Sequence, residues 1–317
     1  MTLPFSKYHG LGNDFIVLDL RDAARADAAT PAPHTDDFVG ATAVRLCDRH
    51  RGVGADGLLL FTGSPTEPRM RVVNADGSVP EMCGNGLRCF VKHVVDRFGI
   101  TGSSVTVSTD AGALACTFDR GADGRVTHVS VAMGTPSYAP ERVPTATATP
   151  LIDHALEVDG VTLHITGVGT GNPHLVLFDA LTDAQRQRLG PVLSAHPLFP
   201  AQANVEFCTV LSPAAGPAAE TSPAVETSPA TETSPAAVAS PTQLRCDVYE
   251  RGCGWTQACG TGATAAATVA VRLGRVPQGH PVHVRLPGGW LVIDVSPEGA
   301  AIMTGPAEHV FDGVLPG

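Results

Sequence analysis

Two cysteines of this sequence stand in the same local setting. Cys259 sits within Tyr249–Thr264 (YERGCGWTQACGTGAT) and is followed by Gly260, Thr261, Gly262 and an Ala- and Thr-rich run that reads as a helix. Cys83, in Met82-Cys-Gly-Asn-Gly86, also stands just ahead of a helical pattern. A cysteine at a helix start meets unpaired backbone N–H groups and the positive end of the helix dipole. That setting favours the thiolate, so a lowered thiol pKa is expected for both residues. Two such thiols opposed across a cleft suit acid–base chemistry at carbon. One thiolate takes a proton from a carbon acid, the opposite thiol returns one to the other face, and the stereocentre inverts. The two helix N-termini would hold a carboxylate and stabilise the charge that develops beside it. Such a mechanism calls for no cofactor and no metal.

Other chemistries fit the spacing less well. Cys83 to Cys89 and Cys253 to Cys259 each leave five intervening residues, outside the spacing of common zinc knuckles, and no Cys-x-x-Cys or His-Glu-x-x-His occurs. A redox pair would place its cysteines close together on one helix start, whereas Cys83 and Cys259 lie in different halves of the chain. Cys47, Cys89, Cys116, Cys208 and Cys246 read as small apolar residues of strands and helices. Gly52, Gly54 and Gly57 satisfy G-x-G-x-x-G, but the loop precedes a strand instead of opening a helix, so it reads as a glycine-rich turn.

The elements that must position the two thiols follow from periodicity. After Cys83 the apolar residues Leu87, Phe90, Val91, Val94, Val95 and Phe98 fall on one helical face, and Gly99 is a plausible stop. Leu244 to Tyr249 reads as the strand feeding the second cysteine. The helix after Gly262 is nearly all Ala, Thr and Val up to Gly274, which predicts a helix enclosed by sheet on every side. Further strands are predicted at Phe15–Leu18, Leu58–Phe61, Arg69–Asn74, Val105–Ser108, Ala113–Phe118, His128–Met133, His164–Ile165, Leu175–Phe178, Asn204–Phe207, Val282–Leu286, Trp290–Val295 and Ala301–Thr304. Two shorter helices are predicted over Thr42–His50 and Ala184–Ser194, and residues 22 to 37 read as a surface excursion.

The chain has 317 residues, 43% of them hydrophobic and 16% charged, with 34 Gly and 26 Pro, which suits two domains rich in strands and tight turns. A formal net charge of −10 speaks against a nucleic-acid partner. The first nine residues lack an apolar leader core, and the longest apolar helix, Ala263 to Val271, is too short to span a bilayer, so a cytoplasmic location without membrane contact is expected. Residues 212–243 differ from everything around them. Glu-Thr-Ser-Pro-Ala recurs at 220–224, 226–230 and 232–236, a composition that cannot build a core and predicts a disordered insertion.

Taken in order, HGLGNDF (9–15), NADGS (74–78), MCGNGLRCF (82–90), GNPHLV (171–176), NVEF (204–207), YERG (249–252) and ACGTGA (258–263) resemble the diaminopimelate epimerase family, and they span nearly the whole chain. The resemblance implies cofactor-independent epimerisation of LL-diaminopimelate to meso-diaminopimelate, in lysine and peptidoglycan precursor synthesis. It implies an α/β (α+β) fold of two pseudo-symmetric domains, each a mixed, mostly antiparallel sheet wrapped around a central helix, and a homodimer. The first domain would be residues 1–133 with 305–317, and the second 134–304. By the same resemblance Cys83 and Cys259 are the acid/base thiols, and the backbone of Gly84, Asn85, Gly260 and Thr261 holds the reacting carboxylate. Asn13, Asn74, Asn172, Asn204, Glu250 and Arg251 would bind the substrate, while His174 and Glu250 would tune the thiols. Two positions depart from the family pattern. Trp255 stands where Glu is common and would reshape the cleft near Cys259, and Gly57 stands where some members carry Gln. Proline-type racemases carry His after the first Cys-Gly, where this chain has Asn85; epimerisation of another amino acid on the same fold stays open at this point.

Overall fold

The computed structural model of the chain describes residues 3–21, 36–80, 82–211 and 242–315. The first part of the chain forms β1 (Leu3–Gly10), β2 (Asn13–Asp19), α1 (Asp36–Cys47), β3 (Gly57–Gly63), β4 (Pro68–Asn74), α2 (Gly84–Phe98), β5 (Ser104–Thr109), β6 (Gly112–Arg120) and β7 (Val126–Gly134). The second forms β8 (His154–Val158), β9 (Val161–Gly169), β10 (Pro173–Leu177), α3 (Asp183–Ser194), β11 (Asn204–Leu211), β12 (Thr242–Glu250), the short β13 (Gly254–Trp255), α4 (Gly260–Arg272), β14 (Val282–Leu286), β15 (Gly289–Val295) and β16 (Ala301–Pro306). The last strand, β17 (Glu308–Leu315), pairs with β1.

The pairing pattern is the same twice. From β17 through β1 to β7 the neighbours run antiparallel, antiparallel, parallel, antiparallel, parallel, antiparallel, antiparallel. From β8 through β9, β10, β11, β12, β14 and β15 to β16 the series is identical. The two ladders join where β7 meets β16 antiparallel, with Val131 opposite Met303, so a pseudo-two-fold axis passes between those residues. Parallel neighbours cannot be joined by a tight hairpin and need a crossover. Each of the four parallel pairs is bridged by one of the four helices: α1 and α3 at equivalent places, α2 and α4 likewise.

The sheet wraps α2 and α4. Residues Gly84 to Val95 of α2 are all buried, which is more than its amphipathic pattern predicts. Of the polar members of that buried set, Lys92 bonds Asp96 and the Val126 carbonyl and His93 Nδ1 lies 3.2 Å from the Tyr8 hydroxyl, whereas Asn85 Oδ1, Arg88 Nη2 and His93 Nε2 have no partner among the described residues. In α4 the alanines are buried on every face, and Thr264 and Thr268 donate to the carbonyls of Gly260 and Thr264 at 2.9 and 2.7 Å, so no polar group is stranded. Small side chains let the surrounding strands approach this helix from all sides.

Several boundaries differ from the expectation. The helix expected over Thr42–His50 runs from Asp36 to Cys47. It stops early because the Asp48 carboxylate captures the N–H groups of His50 and Arg51, a side-chain turn that competes with helix continuation. Strands β1 and β8 escaped the pattern reading. In β1 the alternation is masked by buried polar residues, Lys7 being held by Asp14 at 2.7 Å. Thr242 and Gln243, assigned from sequence to the insertion, belong to β12, whose ladder with β11 extends to Leu211 opposite Gln243. The rest of the insertion and residues 22–35 lie outside the described residues.

Burial lifts several structural thiols above the ordinary value of 9.0, Cys47 to about 11 and Cys89 and Cys116 to about 12. The folded chain therefore holds these protons more tightly than the unfolded chain. The resulting stability is fully present below pH 9 and is lost as pH rises from there toward 11–12. The urea midpoint should stay flat between pH 6 and 8 and fall steeply between pH 9 and 10.5. A midpoint unchanged up to pH 10.5 would contradict the burial of these thiols.

Candidate active site

Cys83 and Cys259 are the N-cap residues of α2 and α4, with near-identical backbones (φ −137°, ψ 114° and φ −129°, ψ 109°). The Gly86 N–H donates to Cys83 Sγ at 3.4 Å, and the Gly262 N–H to Cys259 Sγ at 3.3 Å. A capping atom usually is an oxygen; here sulfur takes that place. The glycines of each motif are sterically required. A Cβ on Gly86 would lie 2.9 Å from Leu59 Cδ2, and one on Gly262 would lie 2.9 Å from Glu206 Oε1 and 3.2 Å from the Cys259 sulfur. On Gly84 it would meet Met303 Cε at 3.1 Å, and on Gly260 Met303 Sδ at 2.7 Å. Both helix starts thus converge on Met303, the residue at the pseudo-two-fold axis.

The thiols depart from the expected lowering. Burial pushes Cys83 up to about 11 and Cys259 well above its ordinary value. The N–H groups of Gly86 and Gly262 act in the lowering direction but are outweighed, because a thiolate loses its hydration in a dry site. The Glu250 carboxylate raises both thiols further. This corrects the sequence-based expectation of readily ionised thiols. A thiolate formed in such a site is a strong base, because it lacks the hydration that stabilises it in water.

The other candidate residues occupy equivalent strand ends around the two caps. Asn13 opens β2 and Asn172 immediately precedes β10, its counterpart. Gly57 opens β3, and Asn204 opens β11. Asn74 closes β4, and Glu250 closes β12. Asn85 is buried and ties the halves together, donating through Nδ2 to Asn13 Oδ1 at 3.0 Å and to the Ala258 carbonyl, next to Cys259, at 2.9 Å. Its amide nitrogen is thereby committed, while its buried Oδ1 has no partner among the described residues. Asn13 in turn donates to Asp56 at 2.7 Å. Asn74 donates to Ser78 Oγ at 2.9 Å. Asn204 accepts the Arg251 backbone N–H at 2.8 Å, while the Arg251 guanidinium reaches the Ala201 carbonyl at 2.8 Å. Thr261 Oγ1 lies 3.4 Å from Cys259 Sγ, and the Thr261 carbonyl accepts from Thr170.

Behind Cys259 lies a buried chain of polar groups. His174 Nδ1 stands 2.6 Å from Glu206 Oε1 and its Nε2 stands 2.8 Å from Asn172 Oδ1, with His174 and Glu206 fully buried. Glu250 accepts from Thr256 Oγ1 at 2.6 Å and interacts with the Cys259 thiol. Burial raises the Glu250 carboxyl, with the Thr256 bond and His174 opposing that shift. Glu206 and Thr256 were not singled out from sequence. The available signal was a charged residue inside the otherwise apolar strand Val205–Cys208, which only a buried partner can sustain. Trp255 packs its ring against Phe207, Tyr249 and Gly190 of α3, so its bulk is taken up in that cluster. Gly57 has no room for any side chain, since a Cβ there would lie 2.8 Å from the Val73 carbonyl. Among the described residues no three His, Cys, Asp or Glu side chains converge as a metal-ligand set.

Solved structures place this arrangement in a class. A hydroxyproline epimerase from Agrobacterium vitis superposes with a TM-score of 0.65 at 13% identity, covering 99% of this chain and 92% of that one. A PhzF-family phenazine biosynthesis protein from Bacillus anthracis gives 0.65 at 14% identity over 100% and 99%. The chain therefore has the duplicated, helix-enclosing fold these proteins share. Sequence narrows the class. The family model for diaminopimelate epimerase matches residues 5–139 and 166–310. The curated diaminopimelate epimerase of Desulfitobacterium hafniense is 39% identical over 312 residues, 98% of this chain and 96% of that protein. That of Moorella thermoacetica is 40% identical over 316 residues, 98% and 99% of the two chains. The chain belongs to the diaminopimelate epimerase family.

The Asn85 bridge is a direct polar tie between the two caps. Asn85→Ala leaves the Ala258 carbonyl and Asn13 Oδ1 without that donor and should cost about 1–3 kcal/mol. Urea unfolding at pH 7 would measure it, and a loss below about 0.3 kcal/mol would show that the bridge contributes nothing to joining the halves.

Proposed function

We propose that this chain epimerises LL-diaminopimelate and meso-diaminopimelate by two-thiol acid–base catalysis. The observation that carries the reading is the pair of cysteines, Cys259 buried and Cys83 half-buried, capping two helices that start on opposite sides of one pseudo-two-fold axis. A substrate α-carboxylate between the helix starts would accept backbone N–H groups of Gly84–Asn85 and Gly260–Thr261, which also stabilise the enediolate-like charge as the α-proton leaves. One sulfur removes that proton, and the other, on the opposite face, supplies its own. Glu250, beside the Cys259 thiol and raised by burial, can accept the proton whose loss makes Cys259 a base. Asn13, Asn74, Asn172, Asn204 and Arg251 would bind the remainder of the substrate, including its distal amino acid centre, and His174 would tune Cys259 through Glu206 and Glu250. Closure over the substrate would exclude water from the carbanion-like state.

The domains in this reading are residues 1–133 with 305–317, and 134–304. A homodimer and a cytoplasmic location complete it, on the strength of the family relationship; no described helix is long and apolar enough to cross a membrane. Light scattering on the purified chain tests the dimer.

Proton NMR of the reduced protein with LL-diaminopimelate in heavy water tests the reaction. Loss of the α-proton signal together with formation of the meso product is expected. Failure to exchange by a folded, reduced protein would overturn the proposal and move the search to other amino acids. Cys83→Ala and Cys259→Ala should each lower turnover by about 10³-fold or more, with the fold retained by circular dichroism. A fully active Cys259→Ala protein would rule out the two-thiol mechanism. Deleting residues 212–241 and closing the β11–β12 hairpin with a short turn should leave turnover within about two-fold, because the ladder is already complete at Leu211 opposite Gln243. A ten-fold drop in that variant would give the insertion a part in catalysis.

A further inference from the structure

The pseudo-symmetry permits a controlled comparison of the two thiols. Their caps agree in backbone conformation and in N–H···S distance, so helix dipole and capping contribute alike on both sides. What differs is the side chains at equivalent positions. Five residues past the cap, α2 carries Arg88 and α4 carries Thr264. Against the third-position glycine, the first half places Leu59 and the second half Glu206, each approaching an added Cβ to 2.9 Å. At the next equivalent pair the first half has Phe15 and the second His174, the partners of Gly57 and Asn204 across their parallel ladders.

Two of these residues leave a buried polar atom unmet, and the two atoms are opposite in charge. Arg88 is fully buried; Nε donates to the Pro306 carbonyl at 3.2 Å and Nη1 to Met303 Sδ at 3.5 Å. Nη2 has no partner, and no carboxylate pairs with this guanidinium among the described residues. Gly10 and Gly305 supply the space it occupies, since a Cβ on either would lie 2.9 Å from Nη2 or 3.1 Å from Nε. Glu206, also fully buried, has Oε1 on His174 and leaves Oε2 without a partner. An unmet charged atom in a dry interior is expensive, and burial lowers the Arg88 guanidinium to about 10, which leaves it charged at neutral pH. The charged and titratable groups acting on Cys83 are Glu250 from β12 and Arg88 from its own helix, with neutral Cys89 alongside. Those acting on Cys259 are Glu250 and Glu206, with Cys246 nearby.

We infer that Arg88 and Glu206 fix the order in which the two thiols ionise: the singly deprotonated site carries its charge on Cys83, favoured by the Arg88 guanidinium, while Glu206 retains the proton on Cys259. Both are positioning residues acting on the thiols through space. The inference rests on the two-thiol reading for its meaning in catalysis, but the ionisation order itself is a property of the free protein. It makes the resting site chemically polar along an axis where the backbone is symmetric. A substrate whose α-proton faces Cys83 meets a site ready to act, whereas its epimer first requires the proton to be moved from Cys259.

The test follows alkylation of each cysteine by iodoacetamide in the full-length reduced protein without substrate, quantified by peptide mass spectrometry at several pH values between 7 and 9.5. Only the thiolate reacts, so at fixed pH below the midpoint a one-unit change in thiol pKa alters the rate about ten-fold. Comparing each cysteine with itself in a variant removes differences in access. Arg88→Met should slow Cys83 alkylation about ten-fold and leave Cys259 unchanged, and Arg88→Lys should restore most of the rate. Glu206→Gln should speed Cys259 about ten-fold with Cys83 unchanged, which keeps the inference testable should Arg88→Met not fold. An unchanged Cys83 rate in folded Arg88→Met, or an unchanged Cys259 rate in Glu206→Gln, would overturn it. Because no substrate is present, these outcomes are independent of whether LL-diaminopimelate is turned over.

Discussion

The structure depends on keeping two sulfur atoms dry and still able to ionise. Dryness alone would make each thiol inert, as burial does for Cys89 and Cys116 in the surrounding sheet. A helix N-terminus supplies the counterweight, because its first N–H groups have no partner within the helix and point at whatever caps it. Here sulfur is the cap, and the close approach of Gly86 and Gly262 is possible only without a side chain at those positions. The rest of the fold serves to bury the two helix starts. A surface helix would offer the same N–H groups in water, where their effect on a charge is weak. Enclosing α2 and α4 in sheet removes the water and strengthens every remaining interaction.

Enclosure imposes its own demands. A helix buried on all sides cannot carry an ordinary polar face, and the two helices solve this differently. In α4 the answer is small: alanines throughout, with two threonines bonded back onto the helix. In α2 the answer is large side chains with designated partners, Lys92 with Asp96 and His93 with Tyr8. Crossover geometry does the rest. Since each helix bridges a parallel pair, its N-terminus emerges beside the ends of the strands it connects, which is where Asn74 and Glu250 sit. The binding candidates cluster because the topology brings equivalent strand ends to one place, with Met303 and Val131 at the centre.

That arrangement was partly legible in the sequence. The cysteine-glycine motifs and the apolar spacing of Leu87 to Phe98 announce a capped helix, because capping and helical packing are local properties. The repeated strand–cysteine–helix order gave the duplication away, and motif order along the chain gave the family. What did not show was anything set by long-range contact. β1 hides a buried Lys7 whose partners, Asp14 and the Gly54 carbonyl, come from other elements. β17 becomes a strand by pairing with the opposite end of the chain. The thiol pKa values went the other way from the expectation because desolvation is a property of the finished fold, whereas the helix dipole could be read from the motif. Glu206 was visible as a charge among Val205, Phe207 and Cys208, but its partner His174 is brought to it by the parallel β10–β11 ladder and lies far away in the sequence.

A duplicated scaffold also raises a problem that symmetry cannot solve. The proposed two-thiol reaction would need two groups of the same kind on opposite faces of one carbon, and a two-fold repeat provides such a pair at no extra cost in design. The carbon has four different substituents, however, and only the carboxylate can lie on the axis and be treated alike by both halves. Everything else the substrate carries must be met by residues that break the symmetry. The backbone donors, which in that reaction would serve the shared group, are the same on both sides, whereas the side chains around them diverge: Asn74 against Glu250, Gly57 against Asn204, Phe15 against His174. Divergence is concentrated at strand ends and behind the caps, where a side chain can change without disturbing the ladders. In the proposed reaction the repeat would fix the chemistry at the sulfur atoms, and the departures from the repeat are where recognition of a particular amino acid would have to be located.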